Sequence, residues 1–167
     1  VTIAYLSIGS NIERDYHLRE AVKLLSHLDP KVRFSTVYEA EAVGYQGDNY
    51  LNCVAAIETS LDLDSLMTTL KNAERYYEQD DAQAQSGARA RRLDLDVLLF
   101  GEQQCTEPCR LPRPDIFKFA FVLQPLSELA PELVIPGQNE SLRALWQRLI
   151  QQPVMSDQVM WPIDFRF

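Results

Sequence analysis

The chain has 167 residues, 46% hydrophobic and 24% charged, with a formal net charge of −8. These proportions fit a globular protein and exclude wholesale disorder, collagen and coiled-coil compositions, and the length suits a single domain over residues 1–167. The acidic excess makes a poor sequence-independent binder of DNA or anionic membrane, yet leaves room for a local basic pocket for a small anion.

Thr2 to Ile8 (TIAYLSI) is a short apolar run closed by Gly9, with the content of a buried strand. Ser10 and Asn11 follow as N-cap types. Leu18, Ala21, Val22, Leu25 and Leu28 then recur at helical spacing until Asp29-Pro30. Val32 to Glu41 reads as a second strand, with Phe34, Thr36 and Tyr38 on one face. Gly44 to Asn49 is loop chemistry. Tyr50 to Thr59 is a third strand, predicted to pair antiparallel with the second across that long connection. Leu63, Leu66, Met67, Leu70, Ala73 and Tyr77 mark a second helix.

Periodicity fails from Glu78 to Arg92 (EQDDAQAQSGARARR), a polar stretch predicted to be a mobile loop of functional kind. Leu93 to Phe100 is a fourth strand. Cys109 to Pro114 is a proline-bounded extended piece, and Phe117 to Leu123 is aromatic and apolar. A short helix is predicted over Ser127 to Ala130. Leu142, Leu145, Trp146, Leu149 and Ile150 mark a last helix, and Val159 to Ile163 an edge strand, since Pro162 suits an edge. The order β-α-β-β-α-β plus a C-terminal extension predicts an α+β, ferredoxin-like sandwich: a mainly antiparallel sheet flanked by helices.

Several chemistries lack their signatures. There is no GxxxxGK[ST], GxGxxG or GxSxG pattern. Both histidines, His17 and His27, lie on the first predicted helix, with nothing to support a Ser-His-Asp triad. Cys53, Cys105 and Cys109 form no CxxC pair, so thiols in a reducing compartment are predicted rather than disulfides or structural zinc. No apolar run approaches the ~18 residues of a membrane span. Val1 to Gly9 lacks a basic leader and a cleavage site. A soluble, cytoplasmic protein with no membrane, nucleic-acid or obligate protein partner is expected.

The most informative segment is Arg89 to Asp96 (RARRLDLD). Asp94 and Asp96 stand two apart on a predicted strand, so both carboxylates share a face with Cα atoms about 6.6 Å apart. Like charges on a mostly apolar strand repel and resist desolvation. A hard cation relieves both costs, and Mg²⁺ is commonly held by one or two carboxylates plus phosphates and water. Arg89, Arg91 and Arg92 would offer forked donors to phosphate oxygens. The same LDLD letters at Leu61 to Asp64 open a helix, where Asp62 and Asp64 are cap and dipole residues. Spacing alone therefore leaves two readings of Asp94 and Asp96: metal ligands, or a solvated strand end paired with arginines. Tyr50 and Asn52 share a strand face. With Phe121 they suit a flat heterocycle, by stacking and by edge hydrogen bonding, or equally a packed core.

Four segments together resemble the 6-hydroxymethyl-7,8-dihydropterin pyrophosphokinase (HPPK) family: YLSIGSN (Tyr5–Asn11), VYEAEAVGYQGDNYLN (Val37–Asn52), RRLDLDVLLFG (Arg91–Gly101) and FVLQPLSELAPEL (Phe121–Leu133). They fall in the family's order. The resemblance implies the ferredoxin-like fold and transfer of a pyrophosphoryl group from ATP to the hydroxymethyl oxygen of a reduced pterin. It implies two Mg²⁺ ions on Asp94 and Asp96, and a pterin between Tyr50 and Phe121, read by Asn52 and by backbone at Ala42, Val43 and Gly44. It places Glu74 on the ATP side and aligns Arg91, or Arg89 if the loop is longer, with a family arginine. Departures lie on the phosphate side. The family's GRxR pattern is replaced near Glu78-Gln79-Asp80-Asp81, its Pro-His-Pro or Pro-His-Tyr becomes Pro112-Arg113-Pro114, and an arginine becomes Phe119. Arg113, Lys118 and the shifted arginines are candidates to compensate. The alternative is a pterin-binding paralogue with weakened transfer activity.

Overall fold

The computed structural model describes residues 1–78 and 91–167. Strand β1 (Thr2–Ser10), helix α1 (Arg14–Leu28), strands β2 (Arg33–Phe34), β3 (Val37–Ala40) and β4 (Tyr50–Thr59), helix α2 (Leu63–Glu78) and strand β5 (Asp94–Phe100) form the ferredoxin-like unit. A 3₁₀ turn (Pro114–Phe117), helices α3 (Ala120–Leu129), α4 (Leu142–Leu149) and α5 (Pro153–Ser156), and strand β6 (Met160–Ile163) follow. Strand order is β5-β1-β4-β3-β6, with β2 also on β4, and the strand pairings are antiparallel.

The sheet separates two apolar layers. Leu51, Cys53, Ala55 and Ile57 of β4 pack with Leu18, Ala21 and Leu25 of α1 and Leu66 and Leu70 of α2. Val54 and Ala56 face the other way, toward Leu123 and Leu126 of α3 and Leu142 and Leu145 of α4. A strand buried on both faces reads as a near-continuous apolar run, as β4 does. β5 carries an extra residue at Leu98, between the pairs Leu6↔Val97 and Tyr5↔Leu99, so Leu98 and Leu99 both reach the second layer.

The antiparallel pairing of β3 with β4 (Tyr38↔Asn52) and the edge position of Pro162, opposite Tyr38, match the sequence reading. Asp62 caps α2 as expected, its Oδ1 accepting from the Ser65 N–H at 2.8 Å. Four local expectations are corrected. Gly9 lies inside β1 rather than closing it. The α1 N-cap is Glu13, with left-handed backbone (φ 42°), not Ser10 or Asn11. Asn11 instead clamps the far loop, accepting from the Arg91 N–H at 2.7 Å and donating its own N–H to the Arg91 carbonyl at 3.0 Å. The second strand is broken at Ser35-Thr36, where the Ser35 hydroxyl accepts the Val54 N–H at 2.9 Å. That break shifts the phase: Phe34 and Val37 pack on the α1/α2 layer, Thr36 is exposed, and Tyr38 reaches Glu128 of α3. Finally, α3 begins at Ala120, well before Ser127. Pro125 disguised it, yet Ala120, Leu123 and Leu126 recur at helical spacing and are buried.

Ser35→Ala leaves the Val54 N–H buried without its acceptor. It should lower unfolding stability by about 1–2 kcal/mol, read as a lower urea midpoint at unchanged slope.

Candidate active site

Gly9 stands at the meeting point of three strands. It is paired with Asn52 of β4 on one side and Asp94 of β5 on the other. Alternation puts Ser7, Gly9, Tyr50, Asn52, Asp94 and Asp96 on the same face, the one away from α1 and α2. A Cβ at Gly9 would lie 3.0 Å from Asn52 Oδ1 and 3.6 Å from Tyr50 Cδ1. Only glycine leaves this floor open.

Above the floor lies a cavity of about 220 Å³, walled by Ala42, Val43, Tyr45, Tyr50, Asn52, Asp94, Asp96, Asp115, Phe119 and Phe121. Phe119 and Phe121 stack on each other with centroids 4.9 Å apart. Burial, and a hydrogen bond with Tyr45, push the Tyr50 phenol well above its ordinary range, so it stays neutral. Asn52 is buried and, among the described residues, its Nδ2 has no hydrogen-bond partner. A buried, unpaired amide donor is costly unless a ligand supplies the acceptor. This wall can hold a flat, hydrogen-bonding ring.

The acidic wall differs at its two carboxylates. Asp96 Oδ1 lies 3.1 Å from Lys71 Nζ and 3.6 Å from Arg113 Nη2. Lys71 also donates to Glu74 (3.0 and 3.1 Å) and to the Leu95 carbonyl at 2.9 Å. Burial works against the Lys71 charge, but Asp96 and Glu74 outweigh it and raise its pKa. Arg113 behaves alike: burial opposes its charge, and Asp96 and Asp115 more than offset it. No such cation stands at Asp94 among the described residues. Burial first, then the charges of Asp96 and Glu74, push its carboxyl up to about 7, against a smaller opposing effect of Arg91.

That imbalance leaves Asp94 suited to bind a cation. Among the described residues no three His, Cys, Asp or Glu side chains converge as a closed metal site. An ion here would take its remaining oxygens from water and from a bound phosphate chain, as Mg²⁺ commonly does.

The predicted site residues thus converge in part. Asp94, Asp96, Tyr50, Asn52, Phe121, Ala42 and Val43 border one cavity. Gly44 turns the preceding loop (φ +80°) and does not border it. Arg91 is held at the site's edge by Asn11, with its side chain exposed. Arg113 reaches Asp96 rather than open solvent. Glu74 lies beneath the acids, both oxygens turned to Lys71 and one also accepting the Leu95 N–H at 3.3 Å. Arg89 falls outside the described residues, as does most of the predicted loop. Sequence reasoning missed Lys71, Tyr45, Asp115 and Phe119 as contributors. Lys71 had a signal: it lies three residues before Glu74, on the flank of α2 that meets β5.

The family model described as 7,8-dihydro-6-hydroxymethylpterin-pyrophosphokinase matches residues 5–131, which carry every described wall of this cavity. The chain belongs to this family. The Bacillus subtilis 2-amino-4-hydroxy-6-hydroxymethyldihydropteridine pyrophosphokinase is 35% identical over 136 residues, 78% of this chain and 80% of its own length. The Haemophilus influenzae enzyme of the same name is 35% identical over 139 residues, 80% of this chain and 85% of its own. Among solved structures, Plasmodium falciparum HPPK-DHPS matches with a TM-score of 0.69 at 14% identity, over 92% of this chain and 44% of that one. This chain therefore spans less than half of that HPPK-DHPS chain, and the likeness concerns fold. No described helix is long and apolar enough to cross a membrane.

The raised Asp94 carboxyl carries a pH signature. The folded state holds that proton more tightly than the unfolded chain, so this group lowers stability as pH rises from about 4 to about 7. Asp94→Asn should flatten that slope and stabilise the ligand-free protein at pH 8 by about 1–3 kcal/mol, measured by urea unfolding across pH.

Proposed function

We propose that the cavity and its acidic wall are the working site of an ATP-dependent pyrophosphokinase of folate synthesis. The carrying observation is a single cavity bounded by a carboxylate pair on one side and by Tyr50, Phe119, Phe121 and Asn52, whose Nδ2 has no partner among the described residues, on the other. As an HPPK, the chain takes ATP and a reduced 6-hydroxymethylpterin as small-molecule substrates. In this reading the chain works as one cytoplasmic domain.

In this reading the pterin ring lies against Tyr50 and Phe121. Asn52 Nδ2 donates to an acceptor on the ring edge, and backbone at Ala42 and Val43 reads the rest of that edge. The open floor at Gly9 lets the hydroxymethyl group reach toward Asp94 and Asp96. The hydroxymethyl oxygen bonds to the β-phosphorus of ATP, the bond from that phosphorus to the oxygen retained by AMP breaks, and the hydroxyl proton is released. Asp94 and Asp96 would hold Mg²⁺, which neutralises charge on the phosphate chain when bound. Arg113 and Arg91 would face the phosphate side, and Arg89, outside the described residues, is a further candidate. Glu74 supports the acids from below through Lys71. Catalysis of this kind is chiefly positioning and charge neutralisation.

Protein, MgATP and 6-hydroxymethyl-7,8-dihydropterin should yield AMP and the pterin pyrophosphate, followed by chromatography. Asp96→Ala should lower kcat by about 10²-fold or more. An AMP yield no greater than a protein-free blank overturns the reading. Asn52→Ala should raise KM for the pterin about 10-fold while leaving KM for ATP near the parent value.

A further inference from the structure

Among the described residues, Lys71 is the cation that the acid pair holds most closely. Its Nζ lies 3.1 Å from Asp96 Oδ1, 2.9 Å from the Leu95 carbonyl, and 3.0 and 3.1 Å from the two Glu74 oxygens. Four oxygens surround one ammonium, which has only three protons to give. The arrangement is a cation cage built jointly by α2 and β5. Arg113 Nη2 approaches the same Asp96 oxygen at 3.6 Å, so positive charge already reaches that carboxylate from two elements. Asp94 has no equivalent partner among the described residues.

We infer that Lys71 takes the place of one of the two divalent ions implied by the family resemblance, so that nucleotide binds here with a single ion, held by Asp94 together with the Asp96 oxygen that Lys71 does not contact. This rests on the pyrophosphokinase reading of the site. A second divalent ion on Asp96 would sit beside a fixed ammonium and a guanidinium, and would be repelled by both. Lys71 is not free to withdraw. Glu74 is buried, both its oxygens face the ammonium, and departure of Lys71 would leave that carboxylate with the Leu95 N–H at 3.3 Å and no cation within ion-pair distance among the described residues. A tethered cation also arrives with the fold rather than from solution. Lys71 is thus a positioning residue that keeps Asp96 neutralised before nucleotide binds.

The test counts ions. Mn²⁺ and α,β-methylene ATP are equilibrated with the full chain by dialysis. Bound Mn²⁺ per bound nucleotide is read from the loss of the free-ion electron paramagnetic resonance signal. The parent and Lys71→Arg should bind one ion, and Lys71→Gln should bind two. The double variant Lys71→Gln/Glu74→Gln removes the buried carboxylate with its partner. It should also bind two, which keeps the test decisive if the single variant misfolds. Two ions in the parent, with nucleotide bound, overturn the role of Lys71 but leave the pyrophosphokinase reading standing. One ion in both glutamine variants does the same. No nucleotide-dependent ion in the parent overturns both.

Discussion

Two carboxylates on one face of an otherwise apolar strand are the constraint around which this site is built. Each resists leaving water, and each makes ionisation of the other harder. The fold answers the two charges differently. Asp96 is met from inside the protein by Lys71 and Arg113, whereas Asp94 is left with a carboxyl pushed up to about 7. The first is a solved electrostatic problem and the second an open one. In the proposed function, a cation arriving with the nucleotide would bind beside this second carboxylate and offset its cost.

The topology explains why the acids lie close to Tyr50 and Asn52. In the β5-β1-β4 order, β1 separates the acids from Tyr50 and Asn52 by a single strand, and on that strand the intervening residue is Gly9. Neighbouring strands lie about 4.8 Å apart, so the two walls are separated by about twice that across the sheet. In the proposed function this gap would take the hydroxymethyl group and the phosphorus it attacks. A larger residue at position 9 would close the gap without disturbing any backbone pairing.

Much of this was legible in the sequence because it depends on period and on adjacency. The alternation in Leu93–Phe100 puts Asp94 and Asp96 on one face whatever the rest of the chain does, and the same logic joins Tyr50 to Asn52. Gly44–Asn49 and Asp62 read correctly from turn and cap chemistry. What failed were features decided by partners distant in sequence. Asn11 has the chemistry of an N-cap, but the Arg91 backbone claims its side chain across the fold. The strand from Val32 to Glu41 reads as one because nothing local announces that the Ser35 hydroxyl will substitute in the β4 ladder. The α3 helix was obscured by Pro125, whose cost is overridden by the burial of Ala120, Leu123 and Leu126.

Lys71 shows the limit most clearly. On a helix wheel it is an ordinary flank residue, and a lysine three before a glutamate is ordinarily a surface ion pair of little consequence. Its meaning changes only when α2 packs on β5 and Asp96 enters the pair, at which point one ammonium bridges Glu74 and Asp96. The departures from the family pattern then look less like losses. The familiar loop cations and the histidine are replaced near Glu78 to Asp81 and at Arg113, while cationic charge is present beneath the acids, fixed by the framework rather than carried on the loop. A half-exposed ammonium held by Glu74, Asp96 and the Leu95 carbonyl is already at its carboxylate in the folded chain, and in the proposed function that preorganisation would contribute to neutralising a phosphate chain.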